Sequence, residues 1–421
     1  MKIEPIPLFA SFQSFFIFFI AVTVIFFLSL GEEYRDYRTL TRFNDAVLPA
    51  TVIGQYEKIK GDQHYQVLKL RSSNGASFFM TASDALHDLH GYEVKVRLKT
   101  EGLTFMAYLG GFFARGYIET VSPLQAGNYR LAERISAQHI DGRIGSLFSA
   151  LFAATPIASE LREKIGALGI GHLLAISGFH IGLLSLLIFG VLKYPYRWMQ
   201  SKWFPWRNAK RDLFIVGLAL LGAYALFLQL PPSVMRAYGM MLIGFVFYDR
   251  GVKVLSFQSL MITVLLLIAL WPRLLFSVGF WLSASGVFYI FAFLQRYADK
   301  GKLFTLVGIH LWVYVMMLPI ALALFGSFTL LHPLSVLWTM GFILFYPLAL
   351  FLHLIGMGGL LDGTVQALFR LAPPPEALEY GGVFLALWIG LSLLAPVSKT
   401  VERLLPYLAA AVLIGAVYQV T

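Results

Sequence analysis

The 421-residue chain contains no cysteine, and only 13% of its residues are charged. The missing thiols exclude a disulfide, thiolate chemistry and an iron–sulfur cluster held by cysteine. The sequence has no Gly-x-x-x-x-Gly-Lys-Ser/Thr motif, so we do not expect the chain to hydrolyse ATP. Low charge beside 58% hydrophobic residues excludes a water-soluble fold for most of the chain.

Long apolar stretches account for most of the sequence. A transmembrane helix needs about 20 largely apolar residues, and such stretches occur at Leu8 to Leu30 and repeatedly from His172 onward. The first stretch runs into Gly31 without a small-x-small cleavage site, which indicates a retained anchor rather than a signal peptide. We therefore predict a polytopic, all-α membrane bundle with about nine spans.

Residues 46–122 follow a different pattern, in which short alternating runs are separated by Gly and Asn/Asp turns. About five strands predict a small all-β, OB-like barrel inserted after the anchor. Such barrels often bind single strands through a basic groove and stacked aromatic residues. Acidic residues nearly balance the basic ones, so a solvated surface of mixed charge is the alternative. The candidate DNA contacts in this domain are Lys69, Arg71, Lys95 and Arg97.

Residues 128–168 predict amphipathic interfacial helices. Apolar residues fall at helical spacing from Tyr129 to Phe152, with arginines on the other faces. This pattern predicts one helix lying along the membrane surface. The predicted regions are a membrane anchor, a β domain, interfacial helices and a transmembrane domain, at residues 1–34, 46–122, 128–168 and 169–421 respectively.

Basic residues in short loops predict the orientation in the membrane. The strongest cluster lies between Lys193 and Arg211 and should be cytoplasmic, which places the amino terminus inside and the β domain outside. The segment from Leu334 to Ile355 breaks the alternation if it is a simple span. We therefore expect a re-entrant hairpin turning near Tyr346-Pro347, covered by protein or by a water-filled cavity, and an external carboxyl terminus.

The stretch from Gly169 to Gly182 gathers small and polar residues at the start of an apolar span. His172 and His180 are eight residues apart, hence roughly on one helix face, and with Ser177 they could donate hydrogen bonds to phosphates in a water-filled path. The alternatives are interhelical hydrogen bonds for the histidines and close helix packing at Gly178 and Gly182. Two histidines alone make a poor metal site.

Arg236 lies about one turn inside a later span that begins at Ser233. An intramembrane arginine is costly, so it should either reach the membrane surface or face an aqueous cavity. We favour a phosphate contact. A further group of small residues, which includes Gly279 and Ser283, forms a face for helix packing.

These motifs, in this order, resemble the competence domain of the ComEC/Rec2 family of DNA-uptake channels. The family pattern Gly-x-x-His-Leu-Leu-Ala-Ile-Ser-Gly-x-His-Ile-Gly matches Gly169 to Gly182, and Ser-Val-x-Arg-Ala matches Ser233 to Ala237. Gly-Phe-x-Leu-Ser matches Gly279 to Ser283, and His332-Pro333-Leu334-Ser335 is similar to a Pro-Leu-Ser element of the family. The resemblance covers nearly the whole chain.

The resemblance implies an inner-membrane channel that carries single-stranded DNA into the cytoplasm during natural transformation. It implies no enzymatic activity, no metal and no other cofactor. The implied partners are single-stranded DNA, membrane lipid, an extracytoplasmic DNA receptor and cytoplasmic strand-binding or helicase proteins; association of several copies stays open. The expected DNA path contains His172, Ser177, Gly178, His180, Ser233, Arg236 and Ser283.

Many family members end in a metallo-β-lactamase-like domain thought to degrade the strand that is not transported. This sequence has no His-x-His-x-Asp-His cluster, so it resembles the form without that domain, and strand degradation should lie elsewhere. Two other functions were weighed. A small-molecule transporter commonly uses intramembrane Asp or Glu, which the spans proposed from His172 to Phe325 lack. An intramembrane hydrolase could use Ser177 with a histidine, but no acid is near to orient it.

Overall fold

The computed structural model describes residues 9, 11–60, 63–84, 86–89, 91–123, 127–157, 159–174, 176–378 and 380–421. Residues 1–8 and Ala10 of the predicted anchor, and Ala175 of the first motif, therefore lie outside the described residues. The described chain is mostly helical, with a small sheet near its amino terminus.

The first helix, α1, runs from Phe12 to Leu40 and precedes the sheet. The Ser11 hydroxyl caps it by accepting a hydrogen bond from the Ser14 N–H at 3.2 Å. A short helix, α2, at Phe105–Gly110 separates the fourth strand from the fifth. The strands are β1 Asp45–Lys60, β2 Gln63–Ser72, β3 Ser77–Ser83, β4 Tyr92–Lys99, β5 Phe112–Phe113 and β6 Gly116–Pro123.

The strand order is β5-β3-β2-β1-β4-β6, with β3 and β5 parallel and the other pairs antiparallel. β5 and β6 are consecutive parts of one segment. The Ala114 N–H donates to the Phe79 carbonyl of β3 at 2.9 Å, and the Arg115 carbonyl accepts from the Lys99 N–H of β4 at 2.8 Å. One stretch of chain therefore pairs with both outer strands of the sheet.

Side chains alternate between the two faces of this sheet, as strand geometry requires. Leu68 and Leu70 of β2 and Val94 and Val96 of β4 are fully buried. The alternate residues of these strands lie on the other face of the sheet, and they include all four basic residues predicted to contact DNA.

The rest of the described chain forms helices joined by short connections. Their bounds are α3 Gly127–Ser136, α4 Gly142–Ala153, α5 Ser159–Ala167, α6 Gly178–Trp203, α7 Ala209–Phe227, α8 Pro232–Asp249, α9 Phe257–Leu270, α10 Val278–Tyr297, α11 Lys302–Phe325, α12 Ser335–Leu354, α13 Asp362–Arg370, α14 Gly382–Leu394 and α15 Lys399–Val420. In the described residues, six helical segments are long and apolar enough to cross a membrane: Phe12–Leu40, Gly178–Trp203, Val278–Lys300, Lys302–Phe325, His332–Leu354 and Lys399–Val420.

The single helix predicted from Tyr129 to Phe152 is wrong, because the chain breaks between α3 and α4. Asp141 starts a new helix, since its carboxylate accepts a hydrogen bond from the Arg143 N–H at 2.9 Å. The apolar spacing continues through this break and so conceals it. Ile144 and Phe148 of α4 are fully buried against other helices rather than turned toward a membrane surface.

The predicted reversal near Tyr346-Pro347 is also wrong. α12 continues through Pro347 to Leu354, because a proline removes one helical hydrogen bond but does not stop a long apolar helix packed against its neighbours. The chain turns later, at Gly356, whose φ of 78° is in the left-handed region. A 3₁₀ turn at Gly358–Leu361 and then α13 follow.

A two-stranded sheet joins the two ends of the segment that contains α12 and α13. β7, Ser327–Phe328, pairs antiparallel with β8, Glu376–Ala377. The chain therefore leaves α11, passes through α12 and α13, and returns to the place where it started. The turn that brings the chain back lies after α12 rather than at Tyr346-Pro347.

Candidate functional site

The first motif bends before it becomes a helix. A 3₁₀ turn at Gly171–Leu173 precedes α6, which begins at Gly178. The Ser177 hydroxyl accepts from the Phe179 N–H at 3.3 Å, and His180 Nδ1 accepts from the Ser177 N–H at 3.2 Å. This reciprocal cap fixes the start of α6 inside the bundle, where His180 is fully buried.

The second motif lies against the first. A Cβ atom built on Gly178 would be 3.9 Å from the Ala237 Cβ, so the start of α6 packs directly on α8. Small residues on both sides allow this close approach. Gly178 therefore has the packing role that was weighed for it in the sequence.

The second and third motifs meet at Arg236. A Cβ atom built on Gly279 of α10 would be 3.4 Å from both terminal nitrogens of the Arg236 guanidinium. Any larger residue at position 279 would occupy space now next to the charge. The three motifs that are far apart in the sequence thus converge on one place in the bundle.

Arg236 has no ion pair and no side-chain hydrogen bond within the described residues, and its buried Nε lacks a partner. Arg236 is near the start of α8, and α10 begins beside it at Gly279, whereas α6 begins at Gly178 beside the next residue, Ala237. Helix amino termini carry partial positive charge and unpaired N–H groups. The arrangement is therefore suited to an anion such as a phosphate.

His172 is held at the edge of this region by α12. Its Nε2 lies 3.0 Å from the Thr339 hydroxyl, which is the interhelical contact considered for it. The neighbouring Gly169 packs on the Pro-Leu-Ser element, since a Cβ there would be 2.9 Å from His332 Cδ2 and 3.1 Å from the Ser335 Cβ. The first motif is thus anchored to the start of α12.

Ser233 lies in the first turn of α8, and Ser283 lies in the second turn of α10. Both are half-buried, and neither side chain has a hydrogen-bond partner in the part of the chain that the structure describes. Their hydroxyls are therefore available near the same helix starts as Arg236. No contact joins either serine to the histidines.

The four basic residues of the sheet are not alike. Arg97 is bound to Glu119 at 2.8 Å, and this hydrogen bond raises the pKa of Arg97. Burial, together with the nearby Arg71 and Arg162, lowers the pKa of Lys69. Burial also lowers the pKa of Arg71. Lys69 and Arg71 thus face the helices, whereas Arg97 already has an acidic partner.

A groove of about 800 Å³ opens elsewhere on the sheet. It lies between the second half of β3 and the start of β6, where these strands do not pair. Tyr65 and Tyr117 line it beside His64, which contacts Glu57 at 2.5 Å. Sequence reasoning selected basic residues and missed this groove; alternating tyrosines near strand ends were the available signal.

One ion pair ties the sheet and α1 to the start of α10. Arg273 donates from Nε and Nη2 to the Glu33 carboxylate at 2.9 and 2.6 Å. It also donates to the Tyr108 hydroxyl at 2.9 Å and to the Asn74 carbonyl at 3.2 Å. Because α10 begins five residues later, this contact orients the helix start beside Arg236. No local pattern in the sequence predicts this contact.

Within the described residues, no group of three or more His, Cys, Asp or Glu side chains is placed to hold a metal ion. Ser177 Oγ and His180 Nδ1 are 3.1 Å apart, which is a nucleophile–base distance. The other ring nitrogen of His180 is buried without a partner, so no carboxylate orients the ring. The cap of α6 accounts for this contact.

A family model described as "Competence protein" matches residues 153–417. An uncharacterized protein of Aquifex aeolicus (strain VF5) is 26% identical over 210 residues, which are 50% of this chain and 46% of that protein. The chain thus spans about half the length of this curated relative. No solved structure matches.

Proposed function

Because the chain belongs to the competence protein family, we propose that it forms the inner-membrane channel through which single-stranded DNA enters the cytoplasm during natural transformation. Membership indicates a membrane protein with a role in DNA uptake. Our proposal adds that the DNA is single-stranded, that the protein is the channel itself, and that it lies in the inner membrane. The family match ends close to the carboxyl end of α15 and begins at the end of α4.

The unpaired Arg236 near the starts of α8 and α10 is the observation that carries this proposal. A single strand carries one negative charge per nucleotide, so its path needs cations and donors that screen phosphate. A carboxylate partner would neutralise the arginine, and none contacts it in the described residues. The position thus offers a phosphate one fixed charge and several N–H dipoles, without holding it as tightly as a cluster of arginines would.

The other proposed path residues supply weak donors near this charge. They are His172, Ser177, Gly178, His180, Ser233 and Ser283. Histidine and serine side chains can donate hydrogen bonds to phosphate oxygens without contacting the bases, which suits a path that must accept any sequence. His180 acts through the start of α6, since its ring caps that helix and is buried.

We propose that about nine helices span the membrane, with the amino terminus in the cytoplasm and the carboxyl terminus outside. Five of them belong to the long apolar set, and the others are α7, α8, α9 and α14. The remaining member of that set, α12, would enter and leave on one side together with α13. The β domain would lie outside. Its strand pairing supports an OB-type barrel, because β1 pairs with both β2 and β4 and the last segment pairs with both β3 and β4. The α3–α5 region would lie near the external surface.

The proposed channel is not an enzyme and uses no cofactor, so energy for transport must come from partners. Such partners would be a DNA receptor outside and a strand-binding protein or helicase inside. A hydrolase using Ser177 and His180 is the second candidate, favoured only by their 3.1 Å contact. For a hydrolase, Ser177→Ala would abolish hydrolysis. A channel with this change would lose the cap of α6, about 1 kcal/mol, together with one weak donor of the path, and should keep part of its DNA entry.

The test is uptake of labelled DNA in cells carrying Arg236→Ala, with the amount of membrane protein measured in parallel. Entry into the cytoplasm should fall at least about tenfold, the effect of roughly 1.4 kcal/mol on a barrier, while DNA capture at the cell surface persists. Arg236→Lys should keep part of the activity, because the charge remains.

Arg250→Ala is the matched control, since Arg250 lies at the opposite end of α8 and is exposed. Normal entry in Arg236→Ala would remove Arg236 from the path. Normal entry in a complete deletion would refute the channel itself.

A further inference from the structure

Two histidines and an aspartate form a buried chain of contacts away from the proposed DNA path. His139 follows α3, His353 is in the last turn of α12, and Asp362 begins α13. The contacts are His139 Nδ1 to Asp362 Oδ1 at 2.6 Å, His139 Nε2 to His353 Nε2 at 3.0 Å, and His353 Nδ1 to the Ala349 carbonyl at 2.6 Å.

Each of these three contacts needs one proton between its two heavy atoms. Two neutral histidines carry one ring proton each, and an ionised aspartate carries none. Two protons cannot fill three contacts. With only two protons, one of the three contacts would place two lone pairs against each other at hydrogen-bond distance. This would happen inside a site where the His139 side chain is 0% exposed.

We propose that His139, His353 and Asp362 hold one additional proton, and that this proton fastens the α3–α4 turn to the end of α12. The proton enters from water at Asp362, whose side chain is 17% exposed. It makes one histidine an imidazolium beside the Asp362 carboxylate. When it leaves to water, the chain of contacts loses one hydrogen bond and gains a repulsion.

The surroundings fit a positive ring. The Phe148 ring stacks on His139 at 4.9 Å between centroids and is 4.6 Å from His353, so its face can stabilise an imidazolium. Asp362 supplies a negative charge beside His139, with its Oδ1 2.6 Å from His139 Nδ1. The other charged residues of the surrounding helices are directed elsewhere. α12 has no Asp, Glu, Lys or Arg, and Glu133 and Arg134 of α3 are exposed. Asp141 and Arg143 at the start of α4 pair with each other, and Arg370 is in the last turn of α13.

Close backbone packing holds the two histidines in line. The Gln138 amide donates to the His353 carbonyl at 3.2 Å and accepts from the Gly358 N–H at 2.9 Å. A Cβ atom on Gly358 would be only 2.6 Å from His353 Nε2. The turn after α12 is therefore shaped around the contact between the histidines.

The connection extends to the rest of the bundle through α12. The same helix carries Thr339, which contacts His172, and Tyr346, whose ring is 5.0 Å from that of His180. Loss of the proton would release the far end of α12 and shift these contacts. The proton site itself follows from the contacts alone and does not depend on the DNA-channel proposal.

The first experiment is ¹⁵N NMR of the full chain, labelled at its nine histidines, in lipid nanodiscs. At about pH 8, above the ordinary histidine pKa of about 6.5, one imidazolium signal should persist. Asp362→Ala should remove it, and His310→Gln, a change of a histidine outside the cluster, should leave it. A wild-type spectrum with nine neutral rings at that pH would overturn the proposal.

The second experiment measures the fastening itself. The chain has no cysteine, so spin labels at Ile140→Cys and Leu360→Cys, both exposed positions, report only the distance between the two turns. The distribution of distances between the two labels should broaden as pH rises above the value at which the imidazolium signal is lost. In Asp362→Asn the side-chain amide can donate to His139 Nδ1 without an extra proton, so the distance should stay short at every pH.

The same label pair with Asp362→Ala should give the broad distribution at every pH. Gly363→Ala is the matched control in α13, because a Cβ atom there meets nothing within 4 Å. A distance that is independent of pH in the unmodified cluster, or equal behaviour of Asp362→Asn and Asp362→Ala, would refute the fastening role.

Discussion

Gly169 packs against His332 so closely that a Cβ atom at position 169 would be 2.9 Å from the histidine ring. Its φ of 70° is in the left-handed region as well. Two independent constraints therefore require glycine at this position. Together they join the first motif to the Pro-Leu-Ser element across more than 160 residues of chain.

Gly169→Ala should destabilise the protein by roughly 1–3 kcal/mol, because it combines backbone strain with a steric clash. Gly171→Ala is the matched control: its Cβ would meet nothing within 4 Å and its φ is not positive. Thermal unfolding of both variants in the same detergent measures the difference. Equal unfolding temperatures would contradict the packing described here.

Gly279→Val should displace the Arg236 guanidinium and reduce DNA entry at least about tenfold, which corresponds to roughly 1.4 kcal/mol. Because Gly279→Val leaves the charge of Arg236 unchanged, a loss of DNA entry would show that the position of the guanidinium matters. Gly286→Val, two turns along α10 where a Cβ atom meets nothing within 4 Å, should leave entry unchanged. Uptake of labelled DNA at matched protein abundance is the measurement, and loss in both variants would point to general damage to α10.

The contact between Glu33 and Arg273 should contribute to joining the β domain to the helices. Both side chains are less than one-fifth exposed, so breaking the pair leaves a charge poorly solvated. In a double-mutant cycle of Glu33→Gln and Arg273→Gln, we expect a coupling energy of roughly 1 kcal/mol or more. Chemical unfolding followed by protease cleavage of the β domain measures it; additive effects would mean that the pair does not stabilise the attachment.

Glu57 raises the pKa of His64 through its hydrogen bond. The folded state thus favours the charged ring, and this contribution is present below the ordinary histidine pKa of about 6.5. It is lost as pH rises through the raised value in the folded state. NMR titration of the His64 ring should give a lower midpoint in Glu57→Gln than in the unchanged chain.

The sequence predicted the membrane class, the β region and the motifs of the site, because each depends on local composition or spacing. It also predicted that Arg236 would need an unusual environment, since an intramembrane charge is costly wherever it lies. The convergence of Gly178, Arg236 and Gly279 could not be derived from spacing. It depends on how three helices pack.

The errors have a common physical cause. Helical periodicity passes unchanged through the break at Asp141, and a proline at position 347 looks like a turn although the helix around it is supported by its neighbours. Both outcomes are decided by contacts with residues far along the chain. The same is true of Arg273, whose partners are Glu33, Asn74 and Tyr108. A single sequence carries no local sign of such pairs.

Pairing of the segment Phe112–Pro123 with both β3 and β4 covers strand edges to which another polypeptide could otherwise add. The edges at Met80–Ala82 and at the start of β6 face each other across the groove. A nascent chain lacks the cover of Phe112–Pro123 until residue 123 has been synthesised. During that interval we expect the first four strands to be more prone to aggregate than in the complete domain.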